Sequence, residues 1–330
     1  MPKFLFLTFL LFLQQAEANE IRIRLFKDLL TFPKIAHASI MAISPRLWSL
    51  KGHSLVLNEK KLSTQNIIVQ NKNLKFDVIG QFDFDHYLAG VVASEMPERW
   101  PAEALKTQAI VARSFALARI QERQGRIFQL DSDQMDQVFR ATESQRAYAA
   151  VINTKNIVLR NPDGKILKAF FHADCGGQTI PASKVWSTEI DTGTAVDPWC
   201  RDRKSNEWSF EIAQQKFMQQ LKQGRESEAI ANSFFEQKIQ SLRVGEATFS
   251  VQKLRQIFGF SQIKNSPEKL QIQDQILRLS GKGFGHGVGL CQWGTLEQAK
   301  RGATSLEIIR HYYPKALISE LETGVSLVSR

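Results

Sequence analysis

The first quarter of the chain alternates short runs of strand-forming residues with polar turns, and this order limits the folds that it can adopt. Between residues 19 and 84 the runs are IRIRLF, IMAI, SLVLN, NIIVQ and LKFDVIGQFDF, which predict strands. A stretch rich in Ala and Leu follows from Ala102 to Gln121, and Pro101 occupies a first helical position, so a long helix is expected. Strands followed by helices favour an α+β fold with a mixed, sheet-rich core and several packed helices.

The second half of the chain predicts further helices. The segment 204–258 is polar and predicts mostly helix, because Gly224 and Gly259 follow helix-like runs as C-caps. The last predicted helix begins at a capping box formed by Thr304 and Glu307.

One acidic residue lies on an otherwise apolar helical face. The stretch YLAGVVASEMP predicts a short helix that begins after Asp85, a good N-cap, and ends before Pro97. Positions i, i+3, i+4 and i+7 share one face of that helix and hold Leu88, Val91, Val92 and Glu95. A carboxyl group in apolar surroundings has a raised pKa, which suits a general acid. The alternatives are that Glu95 turns into solvent at the helix end or pairs with an arginine.

The predicted long helix carries an arginine beside its packing face. Small residues at Ala109, Ala112 and Ala116 would allow this helix to pack closely against another element. Arg113 falls one turn from both Ala109 and Leu117. An arginine so placed is expected either to be buried against a carboxylate or to be directed at a ligand.

The first residues have the pattern of a secretory signal peptide. A single Lys precedes an apolar run from Phe4 to Leu13, and Ala16-Glu17-Ala18 fits a cleavage site. The run is too short to cross a bilayer, which takes about 20 apolar residues. We therefore expect an exported protein with a signal peptide at 1–18, a β-rich segment at 19–75 and a domain at 76–330.

The chain is basic. It has 43 Lys and Arg against 33 Asp and Glu, which gives a formal net charge of +10. A basic exported protein is attracted to an anionic polymer such as a cell wall. Nucleic acid is disfavoured as a partner by the expected export and by the absence of a helix-turn-helix or zinc-finger pattern.

Three cysteines are present, Cys175, Cys200 and Cys291. In an oxidising compartment this number favours one disulfide and one remaining thiol. We expect Cys175 and Cys200 to pair, with Cys291 buried and apart from both. A metal site that uses Cys175, His172 and one further ligand is the alternative, although the close C-x-x-C spacing of many such sites is absent.

Two stretches combine glycines with polar side chains. In FFHADCGGQT, His172 and Cys175 precede two glycines, and in GKGFGHGVGLCQWG glycine occupies every second position from 281 to 289, near His286 and Gln292. In an extended segment this spacing would leave one face bare, so that a flat ligand could lie against the backbone. A dinucleotide-binding loop is excluded because no strand-helix-strand unit surrounds the motif. A structural glycine-rich turn is the remaining alternative.

The chain resembles a known family through several motifs in the same order. The motifs are YLAGVVASEMPERWPAEALKTQAIVARSFAL, DQVFRA, FFHADCGGQT, VWS, PWC and GKGFGHGVGLCQWGTLEQAKRGATSLEIIRHYYP, which span about residues 76 to 318. They are similar to the motifs of the stage II sporulation protein D / LytB family. The first and last of them are specific enough to make chance agreement implausible.

The resemblance implies a peptidoglycan lytic transglycosylase in which Glu95, the Glu of the SEMP motif, is the catalytic acid. Such an acid protonates the oxygen between N-acetylmuramic acid and N-acetylglucosamine. It then acts as a base while the substrate's own C6 hydroxyl closes on C1 and leaves a 1,6-anhydro end. Because the substrate supplies the nucleophile, one carboxyl group suffices where ordinary glycosidases use two. The resemblance also implies that the glycan strands first lose their stem peptides.

The resemblance extends to further site residues. Arg113, His172, His286 and Gln292 match family motifs and are implied to bind the glycan. Since a polymer must thread past its catalytic acid, we expect Glu95 and these residues to line one open substrate groove together with Gly283 to Gly289. Some relatives bind zinc in the segment that corresponds to DSDQMDQVF, but here the residues are Gln134, Met135 and Asp136. We therefore expect no metal and no cofactor.

Two alternative functions remain at this stage. The family includes proteins described as amidase enhancers, so this chain could bind the wall, or an N-acetylmuramoyl-L-alanine amidase, without cutting glycan. A hydrolase on the same scaffold would give a reducing sugar end in place of an anhydro end. In each case we expect the periplasm or the cell wall as the location and peptidoglycan glycan strands as the partner.

Overall fold

The protein forms two compact units. The computed structural model describes residues 20–52, 55–57, 60–61, 64, 66–133, 136–140, 144–186, 190, 192–201, 206–221, 230–235 and 238–321. Met1–Val158 and Ile318–Arg330 form the first unit, and Leu159–Leu317 form the second. The predicted signal peptide lies outside the described residues. From the sequence we expected one domain at 76–330 and predicted no limit at residue 158.

The first unit consists of strands followed by helices. Its strands are β1 (Glu20–Leu29), β2 (Ile35–Ala36), β3 (Ser39–Ser44), β4 (Leu47–Lys51), β5 (Val56–Leu57), β6 (Lys60–Lys61), β7 (Asn66–Lys72), β8 (Lys75–Asp83), β9 (Leu130–Asp131) and β10 (Ile157–Arg160), the last of which crosses its limit. Its helices are α1 (Phe84–Glu95), α2 (Ala102–Glu122) and α3 (Gln145–Ile152).

A six-stranded sheet forms the base of this unit, in the order β3-β4-β7-β8-β1-β9. The neighbouring strands are antiparallel, except that β9 runs parallel to β1. Alternate residues of these strands, Leu50, Ile67, Val69 and Val78 among them, point to one side and form an apolar cluster together with Leu55 and Leu57 of the neighbouring segment. The sheet places the start of α1 directly after its strand β8.

Helix α2 is buried along most of its length. Ala109, Ala112 and Ala116 have no exposed surface, as the pattern of small residues predicted. Helix α1 packs against both α2 and α3. Its N-cap is Asp83, whose side chain accepts from the backbone N–H of His86, and not Asp85, which lies in the first turn. The predicted cap was therefore two residues too late.

The second unit mixes strands and helices along its length. Its strands are β11 (Phe171–His172), β12 (Glu207–Ala213), β13 (Ile230–Phe235), β14 (Lys238–Val244), β15 (Ala247–Ser250), β16 (Lys269–Gln273), β17 (Ile276–Lys282) and β18 (Leu290–Cys291), while β19 (Leu317–Glu320) begins in this unit and has its other residues in the first. Its helices are α4 (Pro198–Arg201), α5 (Gln214–Gln220), α6 (Val251–Phe258), α7 (Gln292–Lys300) and α8 (Ser305–Tyr312).

The segment 204–258 is not mainly helical, and that prediction was wrong. Its described part contains four strands, β12 to β15, beside the two helices α5 and α6. Strand β12 buries Trp208 and Phe210 on alternate positions, a period of two that the polar composition obscured. Together with strands β16 and β17 this segment encloses an apolar core that includes Phe217, Leu254 and Leu277.

Short strands bring two sequence motifs of the second unit together. Strands β11 and β18 are parallel, with Phe171 opposite Leu290 and His172 opposite Cys291. Antiparallel sheets and these parallel pairs coexist with packed helices, so the predicted α+β class is confirmed. Within the described residues, no helix combines the length and the apolar composition needed to cross a bilayer.

Candidate functional site

Glu95 is the last residue of α1 and is half-buried. The apolar part of its helical face, Leu88, Val91 and Val92, is completely buried. The expectation that Glu95 continues a buried stripe to the helix end, with its side chain partly removed from solvent, is therefore confirmed.

A neighbouring loop holds the carboxyl group of Glu95. The backbone N–H of Val138 donates to Glu95 Oε1 at 3.0 Å. The residue before it, Gln137, is fixed on both sides, because Tyr87 Oη donates to Gln137 Oε1 at 3.0 Å and Gln137 Nε2 donates to Ala112 O at 3.2 Å. The DQVFRA motif thus positions the carboxyl group of the SEMP motif.

Asp136 anchors this loop to α2. Its carboxylate accepts from Arg119 Nε at 2.8 Å, from Arg123 Nη1 at 2.8 Å and from the backbone N–H of Asp131 at 2.8 Å. The side chain of Asp136 is fully buried in these ion pairs. Asp136 lies in the segment where a zinc site was considered from the sequence. In this structure its carboxylate instead forms ion pairs with arginines.

Helix α1 touches the loop directly because residue 90 has no side chain. A Cβ atom on Gly90 would lie 2.5 Å from Phe139 Cε2 and 2.6 Å from the carbonyl oxygen of Arg140. Any larger residue would force the loop away from the helix. Gly90 therefore sets the distance between the helix that carries Glu95 and the loop that orients it.

Arg113 has a structural role in place of the predicted contact with a ligand or a carboxylate. It is 2% exposed, and its guanidinium donates to the main-chain carbonyls of Val151 at 2.9 Å, Thr154 at 2.8 Å and Ile157 at 3.2 Å. These carbonyls lie at and beyond the end of α3, where carbonyl groups lack helical partners. Burial lowers the pKa of Arg113 to about 10. The local expectation of a carboxylate or ligand partner was wrong because the partner is backbone from a distant part of the sequence, while the glycan-binding role that the resemblance implies for Arg113 stays a prediction.

In the second unit, His172 and His286 lie side by side. Their ring centres are 5.4 Å apart. His172 is buried, and its Nδ1 lies 3.0 Å from the carbonyl oxygen of Val288. A carbonyl can only accept, so Nδ1 of His172 carries a hydrogen atom.

His286 is neutral at neutral pH. The backbone N–H of Val288 donates to His286 Nδ1 at 3.0 Å, which leaves the hydrogen of the neutral ring on Nε2. Desolvation, followed by the charges of His172 and Arg255, holds the pKa of His286 well below its ordinary value.

Aromatic rings surround His286. Phe170 and Trp186 stack with centres 4.4 Å apart, and the Trp186 ring lies 4.9 Å from that of His286. Beside them is a small recess whose lining includes Lys184, Gln240, Arg255, Ser266 and His286. From the sequence we predicted His286 as a site residue but not these two aromatic residues. Trp186 belongs to the VWS motif and Phe170 begins the FFHADCGGQT motif, so the motifs were the signal that could have identified them.

The glycine-rich segment is not a strand with a bare face, and that prediction was wrong. Gly283, Gly285, Gly287 and Gly289 all have positive φ, so the chain turns repeatedly between β17 and β18. A Cβ atom on Gly285 would lie 2.7 Å from His172 Cβ, and one on Gly289 would overlap the carbonyl oxygen of Phe170. The missing side chains admit neighbouring protein in place of a ligand.

The three cysteines form one cluster, contrary to the prediction for Cys291. All three are buried free thiols, so the expected Cys175–Cys200 disulfide is not formed. Cys291 Sγ lies 3.2 Å from Cys200 Sγ, although we expected it to lie apart. Asp197, which the sequence analysis missed, accepts from Cys175 Sγ at 3.2 Å. Its only sequence signal is its place directly before Pro198 at the start of the PWC motif.

The surroundings of Asp197 change the pKa of its carboxyl group. Burial, and after it the nearby Cys175, raise its pKa to about 7, and a hydrogen bond from Tyr312 opposes them. Tyr312 Oη donates to Asp197 Oδ2 at 2.7 Å. The carboxyl group is thus enclosed by sulfur atoms and one tyrosine.

The predicted site residues divide between the two units. Glu95 and Arg113 belong to the first unit, whereas His172, His286 and Gln292 belong to the second. The β11–β18 pairing brings the second group together, since Gln292 directly follows Cys291, the partner of His172. The single groove that would join Glu95 to this group stays a prediction.

Comparisons with known proteins agree with the sequence motifs. Residues 72–160, which contain Glu95 and its loop, match the family model described as "SpoIID: Stage II sporulation protein". An uncharacterised protein of Brachyspira hyodysenteriae is 25% identical over 247 residues, which are 72% of this chain and 66% of that protein.

Two relatives from Bacillus extend the match. A stage II sporulation protein D of Bacillus amyloliquefaciens is 28% identical over 303 residues, which cover 84% of each chain. An amidase enhancer of Bacillus subtilis is 21% identical over 339 residues, which cover 84% of this chain and 46% of that protein. The resemblance of this chain to the stage II sporulation protein D / LytB family is thereby confirmed, with the match to the family model lying in residues 72–160.

Proposed function

We propose that this protein acts on the bacterial cell wall as an exported peptidoglycan lytic transglycosylase with Glu95 as its catalytic acid. The relatives named for sporulation and amidase enhancement support a cell-wall function in general. The finer proposal rests on one observation, the half-buried carboxyl group of Glu95 at the end of α1, held at 3.0 Å by Val138 N–H.

The proposed reaction needs one carboxyl group that acts twice. Glu95 gives its proton to the oxygen that joins N-acetylmuramic acid to N-acetylglucosamine, and the bond from C1 to that oxygen breaks. The resulting carboxylate takes the proton of the muramic acid C6 hydroxyl while its oxygen bonds to C1. The proton returns to Glu95, no water is consumed, and the product ends in a 1,6-anhydro sugar.

The surroundings of Glu95 suit this double role. The stripe of buried Val and Leu residues disfavours the charged carboxylate and so favours the acid form that the first step needs. The Val138 N–H favours the charged form that the second step needs, and it fixes the direction of the carboxyl group. Orientation by a backbone donor lets the same group serve both steps without a change of position.

The second unit offers a surface that could hold sugar rings. Phe170 and Trp186 are half-buried aromatic residues beside His286, and such rings pack against the apolar faces of sugars. The net charge of +10 favours attachment to an anionic wall. We propose the periplasm or the cell wall as the location, with glycan strands, peptide-stripped or intact, as the partner.

Digestion of peptidoglycan tests the proposal. Purified mature protein is incubated with intact sacculi and with sacculi from which an amidase has removed the stem peptides, and the soluble products are identified by mass spectrometry. Anhydro-muramic acid ends are expected, with more product from the stripped glycan. Products that carry one added water would instead identify a hydrolase.

A non-catalytic amidase enhancer is the second candidate, favoured by the similarity to the Bacillus subtilis protein of that name. It predicts no sugar ends from either substrate. It also predicts that adding this protein to an N-acetylmuramoyl-L-alanine amidase accelerates the release of stem peptides, and that Glu95→Gln accelerates it equally.

A further inference from the structure

Four buried side chains of the second unit converge on one point. Cys175, Asp197, Cys200 and Cys291 each offer one ligand atom, and these four atoms all lie within 4.8 Å of one another. The residues come from three separate stretches, the loop after β11, the start of α4 and the end of β18. The sequence spacing typical of metal-binding cysteines is absent because the ligands meet only in the folded chain.

One sulfur atom of this cluster, Sγ of Cys291, receives two hydrogen bonds from the backbone. The N–H groups of Cys175 and Gly294 donate to Cys291 Sγ at 3.3 and 3.4 Å. Cys291 is also the N-cap of α7, where the helix dipole favours negative charge. Donors aimed at sulfur stabilise a thiolate, which is the form of cysteine that binds a metal ion.

If these four groups bind as a carboxylate and three thiolates, they need a cation to balance their charge. Removing ionised carboxylates or thiolates from water is costly unless a partner charge or a metal compensates. One cation lies near, since the buried Lys238 donates from Nζ to the carbonyl oxygen of Cys175. One ammonium group could not balance three thiolates and a carboxylate, whereas a divalent ion bound between them would balance most of that charge.

We infer that Cys175, Cys200, Cys291 and Asp197 bind one divalent metal ion of the zinc type. In a tetrahedral site the metal lies about 2.3 Å from sulfur and about 2.1 Å from carboxylate oxygen, so neighbouring ligand atoms are roughly 3.5 to 3.8 Å apart. The separations here run from 3.2 Å between Cys200 and Cys291 to the 4.8 Å limit of the group. Small side-chain rotations would bring all four atoms to that geometry.

A second layer of contacts orients the ligands. Tyr312 Oη donates to Asp197 Oδ2 at 2.7 Å, and the backbone N–H of Cys200 donates to Asp197 Oδ1 at 3.2 Å. Gly294 leaves the space that this arrangement needs, because a Cβ atom there would overlap both Tyr312 Oη and Asp197 Oδ2. Outer contacts of this kind are characteristic of metal sites.

The proposed ion has a structural role. Four protein ligands fill a tetrahedral site, which leaves no open position for substrate or water. The ion would join the loop that follows His172 to the start of α7, where Gln292 lies. It would thereby fix the two implied glycan-binding residues without touching the glycan.

Metal analysis of the purified protein tests this inference. Full-length mature protein is produced in medium supplemented with Zn²⁺, purified without chelator and analysed by mass spectrometry for metals. About one zinc per chain is expected in the wild type, and far less in Cys291→Ser and in Asp197→Asn. Asp174→Asn is the matched control, since Asp174 is also buried next to this cluster but is not one of the four ligands, and it should retain zinc.

The wild-type protein alone can overturn the inference, so a variant that fails to fold does not affect the outcome. Folded wild type without bound metal, with either a Cys200–Cys291 disulfide or three thiols open to alkylation after unfolding, contradicts it. Addition of a strong chelator provides a second readout. It should lower the melting temperature of the wild type and of Asp174→Asn, and leave that of Cys291→Ser unchanged. Activity is not measured, so the result is independent of the proposed transglycosylase function.

Discussion

At the scale of single residues, Glu95 and Arg113 show what a local pattern can and cannot reveal. Glu95 was predicted correctly at the partly buried end of a helix because its position on the helical face follows from residues three, four and seven positions before it. Arg113 was predicted wrongly because the carbonyls that it binds lie 38 to 44 residues further along the chain. A single sequence contains no direct signal for that contact.

The first prediction concerns Glu95. Replacing it by Gln keeps the shape of the side chain and an oxygen that can accept from Val138 N–H, but removes the proton that is transferred. We expect Glu95→Gln to bind peptidoglycan as the wild type does and to cleave it about a hundredfold more slowly or worse. Glu98→Gln is the matched control, because Glu98 is an exposed acid three residues further on. Cleavage by Glu95→Gln at the rate of the control would remove Glu95 from the mechanism.

The second prediction concerns Arg113. A lysine carries one compact ammonium group and cannot span three carbonyls as the guanidinium does. We expect Arg113→Lys to lower the free energy of unfolding by about 2 to 3 kcal/mol through the lost charged hydrogen bonds, measured by urea unfolding. Arg99→Lys, at an exposed position, should leave it unchanged. Unaltered stability of Arg113→Lys, together with weaker binding to peptidoglycan, would restore the ligand role that the sequence predicted.

At the scale of elements, the distance between α1 and the loop at 136–140 decides where the Glu95 carboxyl group points. The third prediction tests it with Gly90→Ala. Alanine favours a helix over glycine by about 1 kcal/mol, but overpacking costs about 1 to 3 kcal/mol, and the contact with the Arg140 carbonyl cannot be relieved by a side-chain rotation. We therefore expect lower thermal stability and slower cleavage.

A double variant provides the control for this prediction. Adding Phe139→Leu to Gly90→Ala removes one of the two contacts, so part of the lost stability should return, while the contact with the main-chain carbonyl persists. A Gly90→Ala protein that is more stable than the wild type and equally active would show that helix propensity dominates and that the loop can move freely.

The fourth prediction concerns the sheet of the first unit, where Asp77 joins β8 to its neighbours. Its carboxylate lies 3.1 Å from Arg24 Nη1 and 2.7 Å from Lys72 Nζ. Burial raises the pKa of Asp77, but hydrogen bonds from Lys72, the Asp28 amide and Arg24 outweigh it and lower the pKa below 3.8. A depressed pKa contributes stability above the unfolded value, and this contribution is lost as the pH falls through the folded value.

Urea unfolding at pH 7 and at pH 3 measures this contribution. Asp77→Asn should be less stable than the wild type at pH 7 and should lose less stability than the wild type on acidification. Asp133→Asn, which removes a surface pair with Lys27, is the control and should follow the wild type. Equal loss on acidification in Asp77→Asn and in the wild type would mean that Asp77 is not the titrating group.

At the scale of the whole molecule, the α+β class was predictable, and so was the closeness of the FFHADCGGQT motif to the last, glycine-rich motif, whereas the details of both motifs were not. A segment with glycine at alternate positions can form an extended strand or a series of turns with positive φ. Here packing against Phe170 and His172 selects the turns, and the sequence does not show that packing. The cysteine cluster combines residues up to 116 positions apart, so the sequence could not show that Cys291 joins the other two. The limit between the two units at residue 158 likewise follows from contacts between residues of the folded chain, and the amino-acid composition does not change there in a way that predicts it.

The central claim is that this chain cleaves glycan by transferring C1 of the muramic acid from the glycosidic oxygen to its own C6 hydroxyl, with Glu95 as acid and base. Digestion of peptide-stripped peptidoglycan in water enriched in oxygen-18 tests it most directly, since a transglycosylase adds no water and a hydrolase adds one. The account predicts anhydro-muramic acid ends without oxygen-18 from the wild type and no such ends from Glu95→Gln. Muramic acid ends that carry oxygen-18, or equal product from both proteins, would contradict it.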